Sequence, residues 1–249
     1  MKPALVVAAV LLAACGPKPS EPAKSAEPVA YFHPDPATAG KFHGRIVYRG
    51  PKPTKNVISM ESDVACSQEH SNEPVAEDIV QVGPDAGLAN AFVYIQAGLE
   101  GKKFEPAKDP VVLDQRGCLF VPRALGIRAG QVLALRNSDK VTHNIHPVPK
   151  NNREWEQSQP PGAPDAPHKF ARGEVMIPVK CNIHQWMHAY IGVVEHPYFA
   201  VTGADGSFDL SNVPPGDYTL AVWHEKLGEQ TQQVHLAPSA TQSLEFIYK

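Results

Sequence analysis

Beyond its first fifteen residues the sequence has no apolar run near the eighteen or so residues of a membrane-spanning helix, so no helical span is expected there. It has no excess of positive charge: 23 Lys and Arg stand against 26 Asp and Glu, a formal net charge of −3, which argues against a nucleic-acid partner. Long helical periodicity is missing. No Ser/His/Asp order, glycine-rich phosphate loop or paired catalytic carboxylates stand in a recognisable setting, so no enzymatic activity is expected. Cysteine is scarce, at four residues. Proline and glycine are plentiful: 25 and 18 of them punctuate short apolar runs in a chain that is 43% hydrophobic. That pattern predicts an all-β protein with one large core or two small ones.

The N-terminus fixes the compartment. Lys2 precedes Ala4 to Leu12 (ALVVAAVLL), a run too short to cross a bilayer and of the length of a signal-peptide core. An ordinary secretory signal with a small-residue cleavage site is one reading. Leu12-Ala13-Ala14-Cys15, however, resembles the lipobox of bacterial lipoproteins. The resemblance implies removal of residues 1–14, lipidation of Cys15, and a protein of the bacterial cell envelope, lipid-anchored and facing the periplasm or the outside. Residues 15–40 are rich in Pro, Ala, Ser and Glu and read as a flexible tether, although Tyr31 and Phe32 offer an aromatic pair able to lie on the folded part.

With Cys15 set aside, three cysteines remain in an oxidising compartment. Cys66 and Cys118 have no metal-type neighbour except His70, whereas Cys181 opens Cys181-Asn182-Ile183-His184-Gln185-Trp186-Met187-His188. The economical partition is a Cys66–Cys118 disulfide with Cys181 as a metal-bound thiolate. The rival partition uses Cys181 in the disulfide.

Short β-like runs at Val111–Leu113, Cys118–Val121, Ala124–Ile127, Val132–Leu135, Val175–Val179 and Tyr190–Val194 suggest a sandwich or barrel over 108–196. Within it, Gly130 to Asp139 followed by Thr142-His143-Asn144-Ile145 resembles the strand and loop that present the first histidine of the cupredoxins, the plastocyanin and azurin family of blue copper proteins. Asn144 matches the asparagine that braces their site. Cys181-x-x-His184, with a methionine shortly after, resembles their ligand loop. The resemblance implies a cupredoxin-like Greek-key sandwich with one mononuclear copper ion held by His143, Cys181, His184 and Met187. The two residues between His184 and Met187 are fewer than plastocyanin has, which leaves His188 open as the axial ligand. His146 is an alternative to His143. Zinc competes for Cys and His ligands, but structural zinc sites favour more cysteines and do without methionine.

The remaining segments, 41–107 and 197–249, carry Gly44–Tyr48, Asn90–Ile95 and two turn signals, Asp205-Gly206 and Pro215-Gly216, both of which predict hairpins. They resemble the carboxypeptidase regulatory-like domain, a smaller transthyretin-like β-sandwich into which the copper domain would be inserted; two sandwiches in tandem are the alternative. The resemblances imply a blue copper electron carrier whose partner is a redox protein such as a cytochrome or oxidase. Copper delivery without redox shuttling, or a structural surface lipoprotein with a vestigial site, are the competing functions.

Overall fold

The structure, a computed structural model, describes residues 29–249. The signal segment, Cys15 and the first part of the tether lie outside the described residues. The fold is all-β.

The chain enters through β1 (Gly40–Tyr48) and makes a long connection containing β2 (Asn56–Val57), the short helix α1 (Val64–Glu69) and β3 (Ala76–Glu77). It then forms β4 (Phe92–Ala97). Nine strands follow: β5 (Val111–Gln115), β6 (Phe120–Val121), β7 (Ala124–Arg128), β8 (Leu133–Asn137), β9 (His143–Pro147), β10 (Gln157–Gln159), β11 (Ala166–His168), β12 (Glu174–Lys180) and β13 (His188–Val194). The chain closes with β14 (Phe199–Val201), β15 (Ser207–Val213), β16 (Gly216–His224), β17 (Gly228–Leu236) and β18 (Thr241–Tyr248).

Apart from the small β2-β3 pair, pairing sorts these strands into two sandwiches. The sheets β15-β1-β18 and β14-β4-β16-β17 form an outer sandwich from both ends of the described chain. Its core holds Phe42, Ile46, Val93, Ile95, Leu220, Val222 and Phe246. The sheets β10-β9-β12-β13-β7 and β11-β8-β5-β6 form an inner sandwich in the non-sequential order of a Greek key. Leu113, Ile127, Leu133, Leu135, Ile145, Ile177, Val179 and Ile191 fill it. The inner sandwich leaves the outer one after β4 and returns at β14, and those two strands pair directly, Phe199 with Tyr94 and Val201 with Phe92. The ends of the long excursion therefore meet on adjacent strands.

Strand composition follows from which faces are covered. β4 and β16 read as nearly unbroken apolar runs because both of their faces are buried. Val93, Ile95, Leu220 and Val222 point into the outer core. Phe92, Tyr94 and Ala221 point the other way, into a third cluster with Ala124, Met176 and Val194 of the inner sandwich. Two glycines permit that contact. Gly126 and Gly192 are register partners on β7 and β13, and a Cβ on either would lie about 2.4–2.5 Å from the rings of Phe199 or Phe92. Beside them Arg123 donates two hydrogen bonds to the Glu225 carboxylate, at 2.5 and 2.9 Å.

Two expectations are corrected. Neither Asp205-Gly206 nor Pro215-Gly216 makes a hairpin: β14 and β16 pair with β4, whereas β15 pairs with β1. Both turns carry the chain from one sheet of the outer sandwich to the other. At the first, Gly206 has φ +72° and its carbonyl accepts from the N–H of Ile46, so the turn is seated beneath β1. At the second, Pro214 and Pro215 have no N–H with which to continue a ladder. The aromatic pair before β1 is split: Tyr31 is exposed, while Phe32 packs edge-on against Phe104 at 5.6 Å and its N–H reaches the Lys103 carbonyl. Residues 31–39 therefore lie with the folded unit.

Candidate metal centre

His143 begins β9, and Cys181 follows β12 directly. The two elements are adjacent in the sheet, with Lys180 opposite His146, so residues far apart in sequence open onto one end of the inner sandwich. The segment Cys181–Met187 is closed on itself: the Met187 N–H donates to the His184 carbonyl at 2.9 Å, and the Cys181 N–H donates to the Met187 carbonyl at 3.3 Å. The loop brings His184 back over Cys181. His143, Cys181, His184 and Met187 are all buried.

Their donor atoms converge. Nδ1 of His143 lies 2.8 Å from Nδ1 of His184, which is 3.9 Å from Cys181 Sγ. The three residues can each offer a ligand atom within 4.8 Å of the others. Cys181 Sγ also accepts the His184 N–H at 3.3 Å. Burial pushes the Cys181 thiol up, but His143 and the backbone N–H groups of His184, Asn144 and Ile183 outweigh it, and the net shift favours thiolate. Asn144 also joins the two ligand segments, its side-chain oxygen accepting the Asn182 N–H at 2.9 Å. That is the bracing role expected of it.

The far nitrogen of each imidazole is held by a carboxylate. His143 Nε2 lies 2.8 Å from Asp139 Oδ2, and Asp139 further accepts the N–H groups of Gly117 and Cys118 at 2.7 and 2.8 Å. Burial raises the Asp139 carboxyl, yet these three donors together hold it below its ordinary range. For His143, burial opposes the charged ring, but Asp139 and Cys181 prevail and lift it to about 9. His184 Nε2 lies 3.1 Å from Asp63 Oδ2. With both Nε2 atoms donating to carboxylates, the two Nδ1 lone pairs would face each other across 2.8 Å unless a cation lies between them. The proton of His143 is one such cation. A metal ion bound jointly by two imidazoles and a thiolate is the other, and the donor set fits it.

Cys66 and Cys118 form a disulfide, as the partition of cysteines expected, and among the described residues Cys181 is the free thiol. The disulfide stands beside the site: Cys66 Sγ is 4.0 Å from His184 Nε2. Trp186 donates from its indole to the Cys118 carbonyl at 2.9 Å, and its ring centre lies 5.0 Å from that of His184. Met187, fully buried, packs in the same core as Cys181. His146 lies outside the cluster, with Nε2 on Glu154 at 2.6 Å and Nδ1 beside Asn182. His188 starts β13 opposite Lys180 and is half-buried. Sequence reasoning missed Asp139 and Asp63, the residues that orient the two imidazoles.

No family model matches the chain, and no curated protein is similar to it in sequence. Solved structures resemble part of it. A Cu-containing nitrite reductase from Thermus scotoductus SA-01 is 21% identical over 40% of this chain and 25% of its own, with a TM-score of 0.33. A purple cupredoxin from Nitrosopumilus maritimus is 19% identical over 34% of this chain and 99% of its own, at 0.29. A reduced mutant form of amicyanin is 20% identical over 36% of this chain and 86% of its own, also at 0.29. This chain spans only a quarter of the nitrite reductase.

Proposed function

We propose that the protein is a blue, type 1 copper electron carrier of the bacterial cell envelope. One copper ion is held by His143, Cys181 and His184, with Met187 as the weak axial ligand and Cys15 as the lipid anchor. The observation that carries this reading is the convergence of two Nδ1 atoms and one cysteine sulfur in a buried pocket whose imidazoles are locked from behind by carboxylates. A bound copper ion supplies one-electron redox chemistry in such a set.

The chain's part in that chemistry is to stay still. Asp139 and Asp63 fix the imidazoles, the His184 N–H fixes the sulfur, and burial excludes water, so little rearrangement accompanies a change of charge. A site filled by protein ligands offers no open position for a substrate, which supports a carrier over an enzyme. The same burial disfavours ready exchange of the metal, against a delivery role. A redox partner such as a cytochrome or oxidase would dock over the ligand loop, where Ile183 is 51% exposed between the buried Cys181 and His184. The outer sandwich serves as a scaffold.

The test is the visible spectrum of the copper-loaded protein. Intense sulfur-to-copper charge-transfer absorption that bleaches and returns on reduction and reoxidation is expected, and Cys181→Ser abolishes it. A Cys181→Ser protein that is still blue, or a wild type that takes up only Cu(I), overturns the reading.

A further inference from the structure

His184 depends on a side chain from outside its own sandwich. Asp63 belongs to the connection between β1 and β4, yet its Oδ2 meets His184 Nε2 at 3.1 Å. The other oxygen is already committed: Oδ1 caps α1, accepting the N–H groups of Ala65 and Cys66 at 2.9 and 3.0 Å. α1 is itself pinned by the Cys66–Cys118 disulfide, and Met60, Cys66 and Cys118 pack with Trp186 at the edge of the site. His184 is 2% exposed under this cover, although Ile183 beside it is open to solvent.

Only a carboxylate of this length performs both tasks, because both of its oxygens accept. With Oδ1 occupied by the helix, Oδ2 must accept from the ring. That fixes the proton of His184 on Nε2 and leaves Nδ1 as a bare lone pair directed at His143 and Cys181. Resting on the copper reading above, the geometry points to Asp63 as a positioning residue of the metal centre. The connection between β1 and β4 supplies the carboxylate that sets the tautomer of His184 and shields its outer edge, so the inner sandwich by itself holds an incomplete site.

The near-isosteric amide is the discriminating change. In Asp63→Asn, an oxygen kept on the helix N–H groups turns the amide NH2 toward His184 Nε2, which must then accept; the ring proton moves to Nδ1, where the metal binds. In Asp63→Ser the hydroxyl still caps the helix but is too short to reach the ring, and water takes its place. The smaller chemical change is therefore the more damaging one. Ring 15N NMR of the full, metal-free chain should report Nε2–H on His184 in the wild type, Nδ1–H in Asp63→Asn and a mixture in Asp63→Ser. Copper(II) titration against a competing chelator should show losses of roughly tenfold for Asp63→Ser and up to about a hundredfold for Asp63→Asn. The same His184 tautomer in all three proteins, or Asp63→Asn binding copper as tightly as the wild type, overturns the proposal. If the tautomers follow the expected order but saturated wild type lacks charge-transfer absorption, the positioning role stands and the copper reading fails.

Discussion

At the scale of single residues, the proton on His143 competes with the metal. Its side chain is raised from the ordinary histidine value to about 9 by Asp139 and Cys181, against the effect of burial. Below that value the ring must lose a proton before Nδ1 can bind a cation, so apparent copper affinity should rise with pH and level off near 9. One proton gives a slope of roughly tenfold per pH unit. Chelator competition at several pH values checks this, and an affinity independent of pH across that range would refute it. Met187 should behave differently from the three strong ligands, because an axial thioether is a long, weak donor that tunes potential more than affinity. Met187→Leu is expected to keep copper and colour while raising the reduction potential, since losing a donor disfavours Cu(II). Should voltammetry show no change for Met187→Leu while His188→Ala shifts the potential, the axial ligand is His188.

Among the elements, α1 has the least support of its own. Six residues are too few to form a stable helix from propensity alone. The Asp63 cap and the Cys66–Cys118 disulfide keep it in place. Replacing both cysteines by serine should lower stability by about 2–5 kcal/mol in denaturant unfolding. It should also loosen the cover over His184, seen as faster amide hydrogen exchange in 63–70 than in β12 or β13; unchanged exchange there would show that packing alone seats the helix.

Much of the element scale could be read in the sequence. β5, β7, β8, β12 and β13 stand where apolar runs end at turn residues. β10 and β11 could not be read, being three residues each, Gln-Ser-Gln and Ala-Pro-His, with no run of strand-forming apolar residues, and paired only because β9 and β8 offer them an edge. The site divides in the same way. Cys181-x-x-His184 and Thr142-His143 are local patterns, but Asp63 reaches His184 across 121 positions, a proximity that only topology creates. One signal was available: once Cys66 is bonded to Cys118, a capping aspartate three residues before Cys66 must lie near whatever Cys118 borders.

For the molecule as a whole, the two sandwiches share a cluster whose closeness depends on two missing side chains. Gly192→Val would drive its branches into the Phe92 ring, where even a Cβ comes within 2.5 Å. The overpacking should cost about 1–3 kcal/mol in a denaturant titration. The ligand set lies at the other end of β13, so the copper absorption band of the variant should keep its position; a shifted band would mean that strain travels along the strand.

The place of β1 bears on how the chain reaches this state. β1 lies between β15 and β18, parallel to the latter, with Lys41 opposite Thr241 and Tyr48 opposite Tyr248. The first of these strands to emerge from the ribosome cannot be paired on both edges until the strand at Thr241–Tyr248 has been made. Loop closure over nearly the whole length of the fold must precede any gain from that pairing, which puts refolding toward the slow end of the roughly millisecond-to-second range of sheet proteins. Until then the core that Phe42 and Ile46 enter lacks Phe246 and Tyr248, so a nascent chain stalled before β18 would expose a sticky, half-paired edge and be an early target for chaperones and proteases.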